Sequence, residues 1–184
     1  KGTGEEINVD IVDFAELASM PDWRRKLANE WTDVDGLFEL DRYTWASITH
    51  YIEASKFKKL HPKFFVQFAL DSESDLSKDA HLAKIAGSPS GKLKELVLRP
   101  KEIKIDTNYK QFADDLLANS LEAKFTQNEE MNLLLQNTKN AKLVQFVPRK
   151  PGITSSGLMK VRENFNAKKE PEKVEVDTKL VIDA

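Results

Sequence analysis

The 184-residue chain contains no cysteine, and histidine occurs only three times. The first absence excludes disulfides and thiol catalysis, and it fits a reducing compartment. No two of the histidines have a spacing typical of metal ligands, so no metal site is expected. No apolar run approaches the roughly 18 residues of a membrane span, and no signal-peptide core is present.

Glycine is scarce, and neither sign of charge dominates. Gly87 and Gly91 stand alone, so the chain has no glycine-rich phosphate loop, and no cofactor is expected. Lysine and arginine number 28 against 30 aspartates and glutamates, which gives a net charge of −2. A dedicated nucleic-acid coat would have a basic excess, so this class of protein is not favoured.

The stretch from residue 45 to residue 59 predicts a helix that carries an unusual polar stripe. Thr49 and Lys56 lie two turns apart, and Glu53 lies one turn after Thr49. Trp45 is four residues before Thr49 and is expected to head the same stripe. Indole, hydroxyl, carboxylate and ammonium groups are unusual together on a core face, so the stripe indicates a polar cleft.

The rest of the chain alternates helical and strand-like patterns. Further helices are predicted at 13–20, 62–70, 81–86, 109–125, 129–137 and 157–165, and strands at 37–41, after Pro100 and at 141–147. Ser77 is a candidate cap for the helix that begins near His81. Thr126 and Glu129 form the signature of a capping box.

Several motifs in chain order resemble one known family. They are Trp45-Ala46-Ser47-Ile48-Thr49-His50-Tyr51 to Phe57, Ser77-Lys78-Asp79 to Ala86-Gly87, Leu98-Arg99-Pro100, Ala123-Lys124-Phe125-Thr126-Gln127-Asn128, Asn137 to Phe146, and Leu158-Met159-Lys160-Val161-Arg162. Together they resemble the NADAR (YbiA-like) family over residues 23–165, most closely the versions of large DNA viruses. The resemblance implies an α+β domain, mainly helical around a small β-sheet, in the cytoplasm or a virion.

Residues 1–22 and 166–184 are predicted to lie outside this domain. The first segment alternates at Ile7, Val9 and Ile11, and the second restores a period of two from Val174 to Ile182 after a linker. These strand-like tails are expected to pair with each other or cover the domain. Alternatively, they add strands to a protein partner.

The resemblance implies a function in cleaving N-glycosidic bonds of ribose. Known classes act on a phosphoribosylamino-pyrimidine or remove ADP-ribose from guanine bases, which would make nucleic acid a modified substrate only. A carboxylate near C1 stabilises the positive charge that develops on the sugar. Alternatively, a lysine attacks the opened aldehyde, and the family's signature lysine corresponds to Lys56.

Two departures from the family pattern leave the enzymatic status open. Thr49 stands where the family has a glutamate, and Asn140 stands where an acid is common. One hypothesis is a degenerate domain, kept as a nucleotide- or ADP-ribose-binding or structural module of a larger assembly. The other is an active N-glycosidase in which Lys56 is catalytic and Glu53 replaces the missing acid.

Other matched positions are candidates for ligand binding. Trp45 is expected either to stack on a base or to lie in the core, and Thr49 and His50 belong to the same motif. Lys84, Arg99 and Lys124 match basic positions of the family and are expected either to hold phosphates or to have structural roles. Gln127 matches the family's Gln-Asn pair.

Overall fold

The computed structural model describes residues 3–6, 14–146 and 149–169, and most of these residues are helical. The helices are α1 (Ala15–Ser19), α2 (Trp23–Lys26), α3 (Ile48–Ser55), α4 (Pro62–Val66), α5 (Asp75–Lys78), α6 (Ala80–Gly87), α7 (Ala113–Gln127), α8 (Glu129–Asn137) and α9 (Ser156–Lys169). Short 3-10 turns occur at Val34–Gly36, Leu70–Ser72 and Tyr109–Gln111. Within the described ranges, no helix has both the length and the hydropathy that crossing a membrane requires.

The strands form small antiparallel sheets, which confirms the predicted α+β class. They are β1 (Thr3–Glu6), β2 (Phe38–Leu40), β3 (Tyr43–Trp45), β4 (Lys92–Leu93), β5 (Leu96–Val97), β6 (Lys142–Gln145) and β7 (Ile153–Thr154). β6 lies between β1 and β7, while β2 pairs with β3 and β4 pairs with β5. The register of the first sheet places Gly4 opposite Val144, and Val144 opposite Thr154.

Helix α3 lies at the centre of the domain and packs against α6 and α7. It begins later than predicted because Ser47 is extended and its hydroxyl accepts a hydrogen bond from the amide of His50. A serine in this position satisfies an amide that has no partner within the helix. Trp45 is therefore the last residue of β3, and the prediction that it heads the helical stripe is wrong.

The core forms where α3, α6, α7, α8 and β6 bury their apolar faces. Its largest fully buried side chains include Trp45, Phe57 and Phe125. The indole of Trp45 meets the rings of Tyr51 and Phe65 edge to face, with 5.2 Å between centroids in each pair. This geometry is favoured by the ring quadrupoles, and it fixes the start of α3 against α4.

Some local predictions were wrong because a different residue supplies the cap or the turn. Asp79, and not Ser77, caps α6 by accepting from the amides of His81 and Leu82. Thr126 lies inside α7, where its hydroxyl donates to the carbonyl of Glu122, so the capping box does not form. The strand pairing lies before Pro100, in the β4–β5 hairpin.

Both ends of the described chain join the domain. β1 pairs with β6, and Phe14 and Leu17 are buried in the core. Helix α9 continues to Lys169. The strand predictions for residues 7–11 and 174–182 fall outside the described residues.

Candidate functional site

A cavity of about 350 Å³ opens beside helix α3 and is called the Glu53 cavity below. Its lining comes from the loop after α2, from α3 and α6, from the 3-10 turn before α7 and the start of α7, and from β6. The lining residues are Asn29, Glu30, Thr49, Ile52, Glu53, Lys84, Tyr109, Ala113, Asp114, Leu117 and Gln145. Thr49, Glu53 and Lys84 were predicted as site residues from the sequence, and the fold brings them to one cavity.

Backbone hydrogen bonds hold the walls of the cavity in place. The amide of Thr49 donates to the carbonyl of Asn29 over 2.9 Å, which ties α3 to the loop after α2. The amide of Asp106 donates to the carbonyl of Lys56 over 2.9 Å, which ties the end of α3 to the segment that precedes Tyr109. The cavity therefore lies between segments that α3 anchors directly.

Lys56 is not among the lining residues of the Glu53 cavity, but its ammonium forms an ion pair with Glu53, which is. Its Nζ lies 2.6 Å from Oε2 of Glu53 and donates to the carbonyl of Gly87 over 3.0 Å. The side chains of Lys56 and Glu53 are 19% and 15% exposed, so the pair is largely shielded from water. A charge-assisted hydrogen bond of this kind fixes the orientation of the carboxylate.

Gly87 makes room for this carboxylate, a role that was not recognised from the sequence. A Cβ built on Gly87 would overlap Oε2 of Glu53 and come within 2.8 Å of its Cδ. The sequence placed Gly87 only as an isolated glycine directly after the helix predicted at 81–86. The close approach depends on the packing of α3 against α6, which no local pattern encodes.

Tyr109 is a second residue of the site that sequence analysis missed. Burial raises the pKa of Tyr109 to about 12, and the charge of Glu53 adds to this rise. The phenol therefore stays protonated at neutral pH and remains a hydrogen-bond donor. Its ring centroid lies 5.9 Å from the ammonium of Lys56. The sequence placed Tyr109 only at the start of a helix.

The rim of the cavity carries a second ion pair, between Lys84 and Glu30. Their side chains are about half exposed, so water screens this pair more than it screens Glu53 and Lys56. Asp114 contributes a further carboxylate. In the described part of the chain, no group of three or more histidines and carboxylates is placed to hold a metal ion.

Trp45 and His50 do not line the Glu53 cavity. The indole of Trp45 is completely buried and donates to the carbonyl of Leu40 over 2.8 Å. Nδ1 of His50 lies 2.8 Å from the hydroxyl of Ser47, whereas its buried Nε2 has no hydrogen-bond partner among the residues that the structure describes. Burial lowers the pKa of His50 to about 4, against an opposing effect of Asp79, so the ring is neutral at pH 7.

The guanidinium of Arg99 donates to the backbone carbonyls of Ala86, Ser88 and Pro89, with distances of 2.7–2.8 Å. These bonds shape the loop that follows α6. Because this loop begins beside Gly87, Arg99 supports the carbonyl that accepts from Lys56.

Lys124 and Gln127, the other two matched positions on α7, also bind backbone. The buried amine of Lys124 donates to the carbonyls of Lys26 and Ala28, and burial lowers its pKa to about 7. The amide of Gln127 donates to the carbonyl of Glu39 and accepts from its amide, so it pairs with β2 as a strand would.

Comparison with known proteins gives a likeness of fold. No protein-family model matches the chain, and no curated protein matches it either. The NMR structure of the E. coli protein YbiA matches with a TM-score of 0.53 and 22% identity, over 88% of this chain and 82% of that chain. The chain therefore has a YbiA-like fold, as the resemblance implied. The affinity to viral versions stays a prediction.

Proposed function

We propose that this chain is a YbiA-like domain that binds a ribosyl ligand in the Glu53 cavity and has lost the ability to hydrolyse it. The observation that carries the proposal is the cavity of about 350 Å³ beside the Glu53–Lys56 ion pair. Its volume falls within the roughly 300–1,000 Å³ of small-molecule sites. The volume and the lining together suit one sugar and its substituent.

The polar lining matches the hydroxyls of a ribose. The carboxylates of Glu53 and Asp114 can only accept hydrogen bonds, and sugar hydroxyls can donate them. The hydroxyls of Thr49 and Tyr109 add groups that donate as well as accept. A pentose with adjacent hydroxyls therefore finds partners on both walls of the cavity.

The arrangement of Lys56 argues against the lysine route of hydrolysis. An amine attacks a carbonyl only through a free lone pair. Here the Nζ of Lys56 is held as a donor by Glu53 and by the carbonyl of Gly87. Thr49 occupies the adjacent wall without a carboxylate, so the pair of acids typical of glycosidases is missing from this helix face.

A second candidate function, an N-glycosidase, is favoured by the position of Glu53. Its carboxylate lies in the cavity wall one helical turn from Thr49, where the family has its glutamate. In this position it would stabilise the positive charge that develops at C1 when the N-glycosidic bond breaks. Lys56 would then orient the carboxylate and not attack the sugar.

Calorimetric titration with ribose and ADP-ribose tests the binding proposal. We expect saturable binding of a ribosyl compound that weakens at least tenfold in Glu53→Ala, because the sugar loses an acceptor. Lys63→Ala, an exposed lysine on α4, is the control and should bind as the parent protein does. Absence of binding by every ribosyl compound would overturn the proposal.

Incubation with ADP-ribosylated guanine DNA and with a phosphoribosylamino-pyrimidine separates the two candidates. The binding proposal expects no released base in either reaction. Turnover that disappears in both Glu53→Gln and Lys56→Ala would establish the glycosidase instead. The substitution Glu53→Gln keeps the volume of the side chain and removes only its charge.

A further inference from the structure

An open groove of about 530 Å³ shares no lining residue with the Glu53 cavity. It is called the Arg99 groove below. Its walls are the turn after α6 and the irregular segment between β5 and the 3-10 turn at Tyr109–Gln111. Four of its lining side chains are apolar, those of Pro89, Pro100, Ile103 and Ile105. The groove therefore offers an aliphatic surface.

Hydrogen bonds to the start of α4 and the end of α3 hold one wall of the groove in place. The amide of Lys104 donates to Nε2 of His61 over 3.0 Å. The amide of Asp106 donates to the carbonyl of Lys56 over 2.9 Å. A groove whose wall is fixed in this way binds without the ordering cost that a mobile segment would incur.

The charge that lines the groove is positive. Arg99, Lys101 and Lys104 line it, and no carboxylate is among its described lining residues. Glu102 and Asp106 lie in the same segment, but neither is part of the lining. The carboxylate of Asp106 accepts a hydrogen bond from an amide of the turn that follows it. The groove therefore attracts an anionic ligand.

Arg99 is the fixed cation of this groove. The residue is only 8% exposed, and its guanidinium donates three hydrogen bonds to backbone carbonyls of the turn after α6. A guanidinium has five N–H donors, so two remain without a partner in the described part of the chain. A carboxylate that enters the groove would receive charge-assisted hydrogen bonds from a group whose position is already set.

The β4–β5 hairpin adds a further apolar surface next to the groove. It leaves the turn after α6 and returns to Arg99, and both line the groove. Its side chains include three large exposed apolar groups, those of Leu93, Leu96 and Val97. Two lysines and one glutamate complete the hairpin, and they are exposed as well. A group of exposed aliphatic side chains of this kind marks an interaction surface.

Two other anionic partners fit this surface less well. Single-stranded nucleic acid binds by stacking its bases on aromatic rings, and no aromatic side chain is among the described lining residues. An anionic membrane would meet Glu95 in the turn of the hairpin and Glu102 beside Lys101 as like charges. A peptide can direct its carboxylates to the cations of the groove and its aliphatic side chains to the groove walls.

We propose that the Arg99 groove is a docking site for an acidic peptide segment of a protein partner, in which carboxylates alternate with aliphatic side chains. The carboxylates contact Arg99, Lys101 and Lys104. The aliphatic side chains lie between the prolines and isoleucines of the groove and against the hairpin. This docking does not depend on the ribosyl ligand, because the groove and the Glu53 cavity share no lining residue.

Fluorescence anisotropy of a labelled peptide, Asp-Leu-Glu-Val-Asp-Ile-Glu, tests this docking on the full chain. Saturable binding is expected. It should weaken at least fivefold when NaCl is raised from about 50 to about 500 mM, because salt screens the exposed lysines. Asn-Leu-Gln-Val-Asn-Ile-Gln keeps only the aliphatic side chains, and Asp-Ser-Glu-Ser-Asp-Ser-Glu keeps only the carboxylates. Both should bind at least tenfold more weakly.

Reversing charge in the groove gives the sharper experiment. The double variant Lys101→Glu with Lys104→Glu places two carboxylates there and is expected to weaken binding of the first peptide at least tenfold. Lys160→Glu with Lys168→Glu makes the same change of charge on the exposed face of α9 and should leave binding unchanged. All four lysines are exposed, so circular dichroism should show the parent fold in both variants.

Equal affinities for the three peptides, or an equal loss in the two double variants, would overturn the docking site and leave the proposed function standing. Binding to phosphatidylserine vesicles or to single-stranded DNA, without binding of the first peptide, would overturn the choice of a peptide. A synthetic peptide of residues 170–184 that binds more tightly than the first peptide would overturn the choice of a partner, because the chain would then supply the segment itself.

Discussion

At the scale of single residues, Gly87 decides where the carboxylate of Glu53 can lie. We predict that Gly87→Ala destabilises the fold by about 1–3 kcal/mol, because the added methyl group overlaps the carboxylate. It should also weaken ribosyl binding, since Glu53 must turn away from the cavity. Urea denaturation and calorimetric titration measure the two effects.

The double variant Gly87→Ala with Glu53→Ala supplies the control for this prediction. Once the carboxylate is removed, the methyl group at position 87 should lower the free energy of unfolding clearly less than it does in the parent protein. Equal costs in the two backgrounds would mean that the overlap with Glu53 is not the cause.

His50 makes the stability of the fold depend on pH. Its pKa falls from 6.5 to about 4 because the ring is buried. Its contribution is therefore fully present above pH 6.5 and is lost as the pH falls towards 4. From 1.36 kcal/mol for each pKa unit, the loss amounts to about 3 kcal/mol.

The variant His50→Gln tests this dependence, because glutamine does not titrate. Its free energy of unfolding, measured by urea denaturation from pH 7 to pH 4, should fall by about 3 kcal/mol less than that of the parent protein. Parallel curves for the two proteins would contradict the assignment to His50.

At the scale of elements, helix α3 depends on the residue that caps its start, Ser47. We predict that Ser47→Ala destabilises the fold by about 1–2 kcal/mol, because the amide of His50 loses its cap and Nδ1 loses its partner. Ser19→Ala, at the exposed end of α1, should cost less than about 0.5 kcal/mol. Thermal denaturation of both variants checks the difference, and equal costs would contradict the capping role.

Element types followed from the sequence more closely than element ends. Pro62 begins α4, and α8 spans residues 129–137, as predicted. The caps at the end of α7 and at the start of α6 were assigned to the wrong residues, because several polar residues near each boundary are suitable caps. Which of them caps depends on how neighbouring helices pack, and this information is not local.

At the scale of the whole molecule, Lys124 joins α7 to the last residue of α2 and to the loop that follows it. We predict that Lys124→Ala lowers the free energy of unfolding by about 3 kcal/mol or more. A long buried side chain is removed, and the carbonyls of Lys26 and Ala28 lose the lysine amine as a donor. Lys110→Ala, on an exposed position before α7, should cost less than about 0.5 kcal/mol. Urea denaturation compares them, and similar costs would contradict the buried link.

The candidate site was predictable where it lies on one helix. Helical spacing alone placed Thr49 and Glu53 on a common face. Tyr109 and Gly87 join them only through packing between distant parts of the chain. For the same reason the sequence did not show that Arg99, Lys124 and Gln127 bind backbone groups. Those contacts depend on which carbonyls the fold leaves without partners.

The pairing of β1 with β6 has a consequence for how the domain is made. Thr3–Glu6 leaves the ribosome long before Lys142–Gln145 is translated. At roughly 5–20 residues per second, β1 has no sheet to join until many seconds have passed. The three-stranded sheet therefore closes only after α3, α6 and α7 have been translated, and Gln145 of β6 joins the lining of the Glu53 cavity at the same stage.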